Sequence, residues 1–292
     1  MKRTRIVGLC LLALGAIFAF TASSAFAVEG SLEFGKCVKK EEAASKFKNS
    51  GCTKLAGGEV AEHKFEWTPL STIVKFTSKK KELTGKAVLE AKNGNEISCT
   101  EQVQTIGEYG PGKTQIKNVI GEFSGCEASG AECNSAGKAA GHIDTFKLHG
   151  EPGVVKKEAS EEKNIDGTDL RGETSELLAE FTCGPLPVKV RGGVITKTGY
   201  TKEGKFIRNT NKMLNKATVE FVAEKPGKQV PEEWTPLGSG ISNNKKELIK
   251  EFLEGKVSEA AYEQSGQSLI TVQKSNPTTV KVELRQCKQG VC

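Results

Sequence analysis

Along much of the chain apolar and polar residues alternate with a period of two, the mark of strands that bury one face. Ala217, Val219, Phe221 and Ala223 alternate with Thr218, Glu220 and Val222, and Val280, Val282 and Leu284 alternate with Lys281, Glu283 and Arg285. Val188 and Val190 flank Lys189, while Ala179, Phe181 and Cys183 share a face. Between such runs stand the turn signals Asn93-Gly94-Asn95, Gly110-Pro111-Gly112, Gly192-Gly193 and Lys225-Pro226-Gly227. This strand-turn spacing, regular from Glu62 to Val222, predicts an all-β, mainly antiparallel sandwich or barrel with one sheet face in water.

One segment has a different period. From Asn244 to Gly255 the apolar residues Leu248, Ile249, Phe252 and Leu253 fall at i, i+1, i+4 and i+5 among Lys and Glu. That stripe predicts one short helix near 244–255, with Ser242 or an Asn as cap and Gly255 as stop. The charge-rich stretch from Lys156 to Glu173 holds few apolar residues and is expected to be a long surface hairpin loop in a single β-rich domain over 28–292. The alternative is two β subdomains divided near 156–173. Glu66-Trp67-Thr68-Pro69-Leu70 recurs as Glu233-Trp234-Thr235-Pro236-Leu237, and the two copies hold both tryptophans. Because the flanks diverge at once, the repeat reads as Trp-Thr-Pro ending a strand twice, with proline stopping the ladder and tryptophan covering the sheet, rather than as a duplication.

The N-terminus changes the picture. Lys2, Arg3 and Arg5 precede an apolar run from Ile6 to Phe20, and the small-residue site Ala25-Phe26-Ala27 follows, the pattern of a secretory signal peptide over 1–27 with a mature start at Val28. The run is 15 residues, short of the roughly 20 that cross a bilayer, so no stable membrane insertion is expected once it is removed. Cys10 lies near the start of the run, where no lipid is attached, and Lys288 to Cys292 show neither an apolar tail nor a sorting motif. The expected location is therefore secreted, extracellular or at the cell surface. Without residues 1–27 the 42 basic residues fall to 39 against 36 acidic ones, a net charge near +3. Such a mixed surface lacks the clustered basic field that nucleic-acid binding requires.

Of nine cysteines only Cys10 falls in the removed segment, which leaves an even set of eight entering an oxidising space. Disulfides are expected between Cys37 and Cys52 and between Cys126 and Cys133, on short loops in Gly-containing turns. Cys99 with Cys183 follows from both ending strand-like runs on the same face, and Cys287 with Cys292 is the remaining tail pair.

Candidate chemistry is sparse. Gly107-Glu108-Tyr109-Gly110-Pro111-Gly112-Lys113-Thr114 satisfies the phosphate-loop pattern, but that site needs a helix after the loop, and Gln115 to Phe123 is β-branched with an internal glycine. A Gly-Pro-Gly hairpin turn is expected instead, with Lys113 no nucleotide ligand. His63, His142 and His149 are the only histidines, and no G-x-S-x-G elbow accompanies them. His142 and His149, seven apart with Asp144 between, would point to opposite faces of a strand. No C-x-x-C or H-E-x-x-H suggests zinc, and Asn164-Ile165-Asp166-Gly167-Thr168-Asp169 lacks the spaced acids of a calcium loop and reads as a solvated Asp-Gly turn. No metal or cofactor is expected. A carboxylate pair for glycoside hydrolysis cannot be chosen among so many Glu residues without geometry.

Several segments together resemble a family of secreted, cysteine-containing actinobacterial proteins of unknown function with many paralogues. They are Gly35-Lys36-Cys37-Val38 with Gly51-Cys52-Thr53, Glu66-Trp67-Thr68-Pro69, Gly85 to Glu90 leading to Ile97-Ser98-Cys99, and Gly107-Glu108-Tyr109 with Gly112-Lys113-Thr114. Phe123-Ser124-Gly125-Cys126-Glu127, Cys133 with Ser135-Ala136-Gly137, Ala179-Glu180-Phe181-Thr182-Cys183 and Asn211-Lys212-Met213 complete it. The resemblance implies that the phosphate-loop match is a chance variant of a recurring Gly-Glu-Tyr turn, and it brings no catalytic residue. The resulting expectation is a secreted, disulfide-stabilised, non-catalytic module that binds an extracellular or cell-wall ligand or serves a structural role. The competing expectation is a secreted hydrolase of polysaccharide or peptidoglycan acting through carboxylates the sequence does not single out.

Overall fold

The computed structural model describes residues 31–40, 45–58, 63–81, 85–101, 103–156, 164–202, 205–208, 212–214, 217–236, 249–250, 252–276 and 282–287. The signal-peptide segment, Leu248 and Cys292 lie outside them. The described chain is nearly all antiparallel strand. In order, its first strands are β1 (Ser31–Lys39), β2 (Phe65–Pro69), β3 (Val74–Lys80), β4 (Ala87–Ala91), β5 (Glu96–Cys99), β6 (Val103–Tyr109), β7 (Ile116–Phe123) and β8 (Cys126–Ala128). Next come β9 (Ala131–Asn134), β10 (Ile143–Asp144), β11 (Leu148–Lys156), β12 (Ile165–Gly172), β13 (Leu177–Cys183), β14 (Leu186–Lys202), β15 (Lys205–Arg208) and β16 (Lys212–Met213). The last are β17 (Thr218–Phe221), β18 (Ala223–Glu224), β19 (Lys228–Gln229), β20 (Glu233–Pro236), β21 (Ile249–Lys250), β22 (Leu253–Val257), β23 (Glu263–Asn276) and β24 (Glu283–Cys287).

The pairings close on themselves twice. One ring runs β3-β6-β7-β11-β12-β14-β17-β23 and back to β3. The other runs β4-β5-β8-β9-β13-β14-β22-β23 and back to β4. Both rings use β14 and β23, whose first halves serve the second ring and whose last halves serve the first. The molecule is therefore one tall, eight-staved antiparallel barrel in two tiers. Half of the staves are two strands in succession, such as β3 then β4, or β12 then β13. Closure removes the unpaired edges that an open sheet would expose.

The lower end is sealed. A small sheet in the order β16-β24-β1-β2 joins the two ends of the described chain, and its Leu32, Phe34, Val282 and Leu284 belong to the same buried core as the barrel. The Phe34 ring lies 4.7 Å from that of Tyr109, which stacks on Phe76 at 4.6 Å. Tyr109 donates its hydroxyl hydrogen to Gln273 Oε1 at 2.7 Å, and Ser78 donates to Thr271 Oγ1 at 2.6 Å. The lower tier is thus filled by aromatic rings and by polar groups that satisfy one another. Burial pushes the Tyr109 phenol far above its ordinary value.

The seam between tiers lies in the seventh stave, where β22 pairs with Val188–Gly192 of β14 and β17 with Lys197–Gly199. Gly192, at φ 99°, lets the Phe252 carbonyl approach so closely that a Cβ there would sit 1.9 Å from its oxygen. In the gap, buried Gln229 substitutes for a strand. Its Oε1 accepts from Ile195 N at 3.1 Å and its Nε2 donates to Gly193 O at 3.2 Å.

Three expectations are corrected. Of the helix expected near 244–255, residues 249–250 and 253–255 are strand, the latter within β22, because Leu253, Gly255 and Val257 occupy the inward face of the ring and Glu254 turns outward to Arg191 at 2.9 Å. Ladder pairing on both sides overrides the local helical stripe. Residues 165–172, expected in a surface loop, form a wall strand between β11 and β14, with Asp166 and Asp169 buried and Asp169 paired to Arg171 at 2.6 Å. Buried acids had disguised the strand.

The third correction concerns the cysteines. Cys37 is bonded to Cys52, but Cys99 is bonded to Cys126 and Cys133 to Cys183, so neither the Cys126–Cys133 nor the Cys99–Cys183 pair exists. Cys99 stands directly opposite Cys126, and Cys133 opposite Cys183, on four adjacent strands at one level of the wall. Bonding Cys126 to Cys133 would leave the outer two cysteines three strands apart, beyond the reach of a disulfide. Cys287 is also disulfide-bonded, and its expected partner Cys292 lies outside the described residues.

Two outcomes follow from this wall. Cys99→Ser should expose Cys126, not Cys183, to thiol alkylation, and loss of either bridge should lower stability by about 3.5 to 4 kcal/mol on the loop-closure estimate for 27 and 50 residues. Gln229→Leu leaves a buried carbonyl and amide unmatched and should reduce the unfolding free energy in urea by about 1–3 kcal/mol. An unchanged transition would mean that the seam is held otherwise.

Candidate functional site

An eight-stranded barrel is just wide enough to be filled by side chains or to leave room for one small ligand. Where the two tiers meet, the choice falls on room. Inward positions carry small residues, Ala87 on β4, Thr105 on β6, Gly121 on β7 and Ala179 on β13, and leave a chamber of about 100 Å³. Its walls are otherwise Leu89, Ile97, Phe123, Phe181, Val190, Leu253 and Leu269. Thr145, which also lines the chamber, accepts with its Oγ1 from the backbone N–H of Gly121 at 2.9 Å. Cys99, from the first wall disulfide, also faces the chamber.

Above it lies a vestibule of about 380 Å³ that shares Leu89 and Ile97 with the chamber. All four upper hairpins contribute to it, through Asn93 and Asn95, Ser129, Pro185 and Leu186, and Ala260 and Ala261. Its volume is in the range of small-molecule sites. Leu186, 49% exposed, forms part of an apolar rim.

One wall is polar. Along β23 the inward positions read Glu263, Ser265, Gln267 and Leu269 from mouth to floor, with Glu263 directly across from Gly255. Ser265 donates its hydroxyl hydrogen to the Glu263 carbonyl at 3.2 Å. Glu263 Oε2 is shielded from solvent and has no hydrogen-bond partner among the described residues. Glu96, the other carboxylate of the vestibule, precedes inward-facing Ile97 and so stands on the outer side of the rim.

The residues singled out from sequence lie elsewhere. Gly110-Pro111-Gly112 is the β6–β7 turn at the sealed end, and Thr114 leads into strand, not helix. Lys113 is ion-paired with buried Glu33 of β1 at 3.0 Å, and its carbonyl accepts from the Phe34 N–H. His63 is held between the carbonyls of Ser45 and Gly57, His142 is exposed beside β10, and His149 is exposed on β11. Asp144 is bonded to Lys138 at 2.5 Å, which raises the lysine above its ordinary pKa through that hydrogen bond. Asn164 to Asp169 are not a solvated turn but enter a buried strand. No group of three or more His, Cys, Asp or Glu poised for a metal occurs among the described residues.

The chamber itself was missed. Its signal was small residues recurring in the inward phase of short strands, with an acid, a serine and a glutamine in that phase on β23.

No family model, curated protein or solved structure matches the chain. What the architecture defines is a closed antiparallel β-barrel, sealed at one end and cupped at the other, stiffened by cross-strand disulfides.

Titration with Mg-ATP should give no saturable heat, since the Lys113 charge is engaged with Glu33 and no helix N-terminus follows. Binding lost in Lys113→Ala would contradict this. The lysine is 46% exposed but its partner Glu33 is buried, so that substitution takes a donor from a buried carboxylate and should otherwise lower stability by about 1–3 kcal/mol.

Proposed function

We propose that the protein is a non-catalytic extracellular or cell-surface binding module that holds one small, largely apolar ligand inside its barrel, from the junction of the tiers up to the open mouth. The observation that carries this reading is the pairing of an apolar chamber with a wider vestibule at the one end that the small sheet leaves uncovered. Such a site excludes water from a ligand tail and gains roughly 25 cal/mol for each Å² of apolar surface removed from solvent.

The place of action rests on the secretory pattern of residues 1–27 and on the disulfides, which persist in oxidising compartments. No described helix is long and apolar enough to cross a membrane. Membership of the actinobacterial family of secreted paralogues belongs to the same proposal, carried by its cysteine contexts. The hydrolase reading gains nothing from the site, where one carboxylate faces inward and the other stands on the outer side.

Phenylnaphthylamine, which fluoresces in apolar surroundings, should bind saturably with one site per chain. Leu89→Trp, at the neck between vestibule and chamber, should weaken it by roughly tenfold or more. Far-ultraviolet circular dichroism should be unchanged and the melting temperature preserved to within about 5 °C. Non-saturable binding, or equal affinity in the folded variant, would overturn the reading.

A further inference from the structure

We propose that the ligand is a cationic amphiphile, in chemical class a long-chain primary amine, whose ammonium group is held by Glu263 while its tail lies in the chamber. The proposal rests on the ligand-binding reading of the barrel and adds the head group to it.

Glu263 faces inward. It pairs in register with Gly255, which stands between inward-facing Leu253 and Val257, and Gly255 contributes no side chain to the space across from it. One oxygen of Glu263 is shielded from water and lacks a donor among the described residues, and an ionised carboxylate in that state is costly until a donor arrives. Below it Ser265 and Gln267 continue a polar strip, while Leu89 on neighbouring β4, Leu253 on neighbouring β22 and Val190 on β14 are apolar. A molecule matching this cup has a donor-rich head and an apolar tail.

The sign of the head follows from the neighbouring charges. Among the described residues Lys256 is the one basic residue lining the vestibule, but it adjoins inward-facing Gly255, and its ammonium lies 5.3 Å from the Tyr262 ring. Arg191 covers the same ring at 3.8 Å and is bonded to Glu254 at 2.9 Å on the outer wall. The nearby cations are thus stacked on an outer aromatic ring, and exposed Glu96 adds a second negative charge at the rim. An ammonium would complete the Glu263 carboxylate with charge-assisted hydrogen bonds. A fatty-acid carboxylate would meet a like charge.

The test is displacement of phenylnaphthylamine from the oxidised protein by octylamine, octanol and octanoate at neutral pH. The amine should compete roughly tenfold better than the alcohol, and the alcohol better than the carboxylate. In Glu263→Gln the amine should fall to the level of the alcohol, with the alcohol unchanged. Equal competition by amine and alcohol in the natural protein, or preference for octanoate, would overturn the head-group assignment while leaving the chamber reading intact. Failure of all three, together with failure of the probe to bind, would instead overturn the chamber reading. The preference of the natural protein needs no variant, so the proposal stays testable even if Glu263→Gln does not fold.

Discussion

Ring closure through two continuous strands is the constraint on which the rest of this structure depends. Several wall strands are only two to five residues long, too short to hold a register by their own ladder bonds. β14 and β23, at 17 and 14 residues, run through both tiers and impose one register on the short strands beside them. The cost appears where the stave between them is assembled from two distant segments, β17 and β22. There a backbone carbonyl and amide of β14 lose their strand partner, and the Gln229 side chain takes its place.

The disulfides act on the same wall from within. Each of the two belt bridges joins directly opposed residues on adjacent strands, with Cα atoms 4.0 Å apart. They fasten β5 to β8 and β9 to β13, and β5, β8 and β9 are the shortest strands of the upper ring. Filling that tier with large side chains could have stabilised it by apolar burial. Instead, small inward residues keep the cup open while covalent links secure its wall, so rigidity and emptiness coexist. At the opposite end the Cys37–Cys52 loop is clasped by Arg285, which is 1% exposed, donates to the Cys52 carbonyl at 2.8 Å and lies over Trp67 at 4.4 Å. That clasp keeps the small sheet seated under the floor.

Much of the all-β architecture was legible because antiparallel strands advertise themselves by alternation. Ala179-Phe181-Cys183 and Val188-Val190 do lie on inward faces. The two Trp-Thr-Pro copies do end strands at proline, and in both the proline pairs with a glycine, Gly35 or Gly153, whose missing Cβ makes room for the tryptophan ring. What misled was context. Leu248 to Leu253 suggested a helix because local spacing cannot register a partner strand far along the chain. Asp166 and Asp169 hid β12: three residues apart, they lie on opposite faces of the strand and both are buried, so neither face shows an apolar phase. The cysteine pairing was illegible for a similar reason. Four cysteines on four neighbouring strands admit several local pairings, and register alone chooses between them. The cup went unseen because an empty volume is defined by what several strands leave out.

The position of β23 at the end of the barrel order also has a kinetic consequence. Its Thr271 is bonded to Ser78 of β3, 193 residues earlier. A chain made from its N-terminus can zip the successive staves into a meander, and the belt disulfides join neighbours in that order. The ring cannot shut until β23 arrives. Until then the growing sheet keeps the β3 edge open and an apolar concave face in water, the state most exposed to mispairing with another chain. The cup therefore comes into being in a single late step, and a chain cut short before β23 loses the whole enclosure rather than one strand of it.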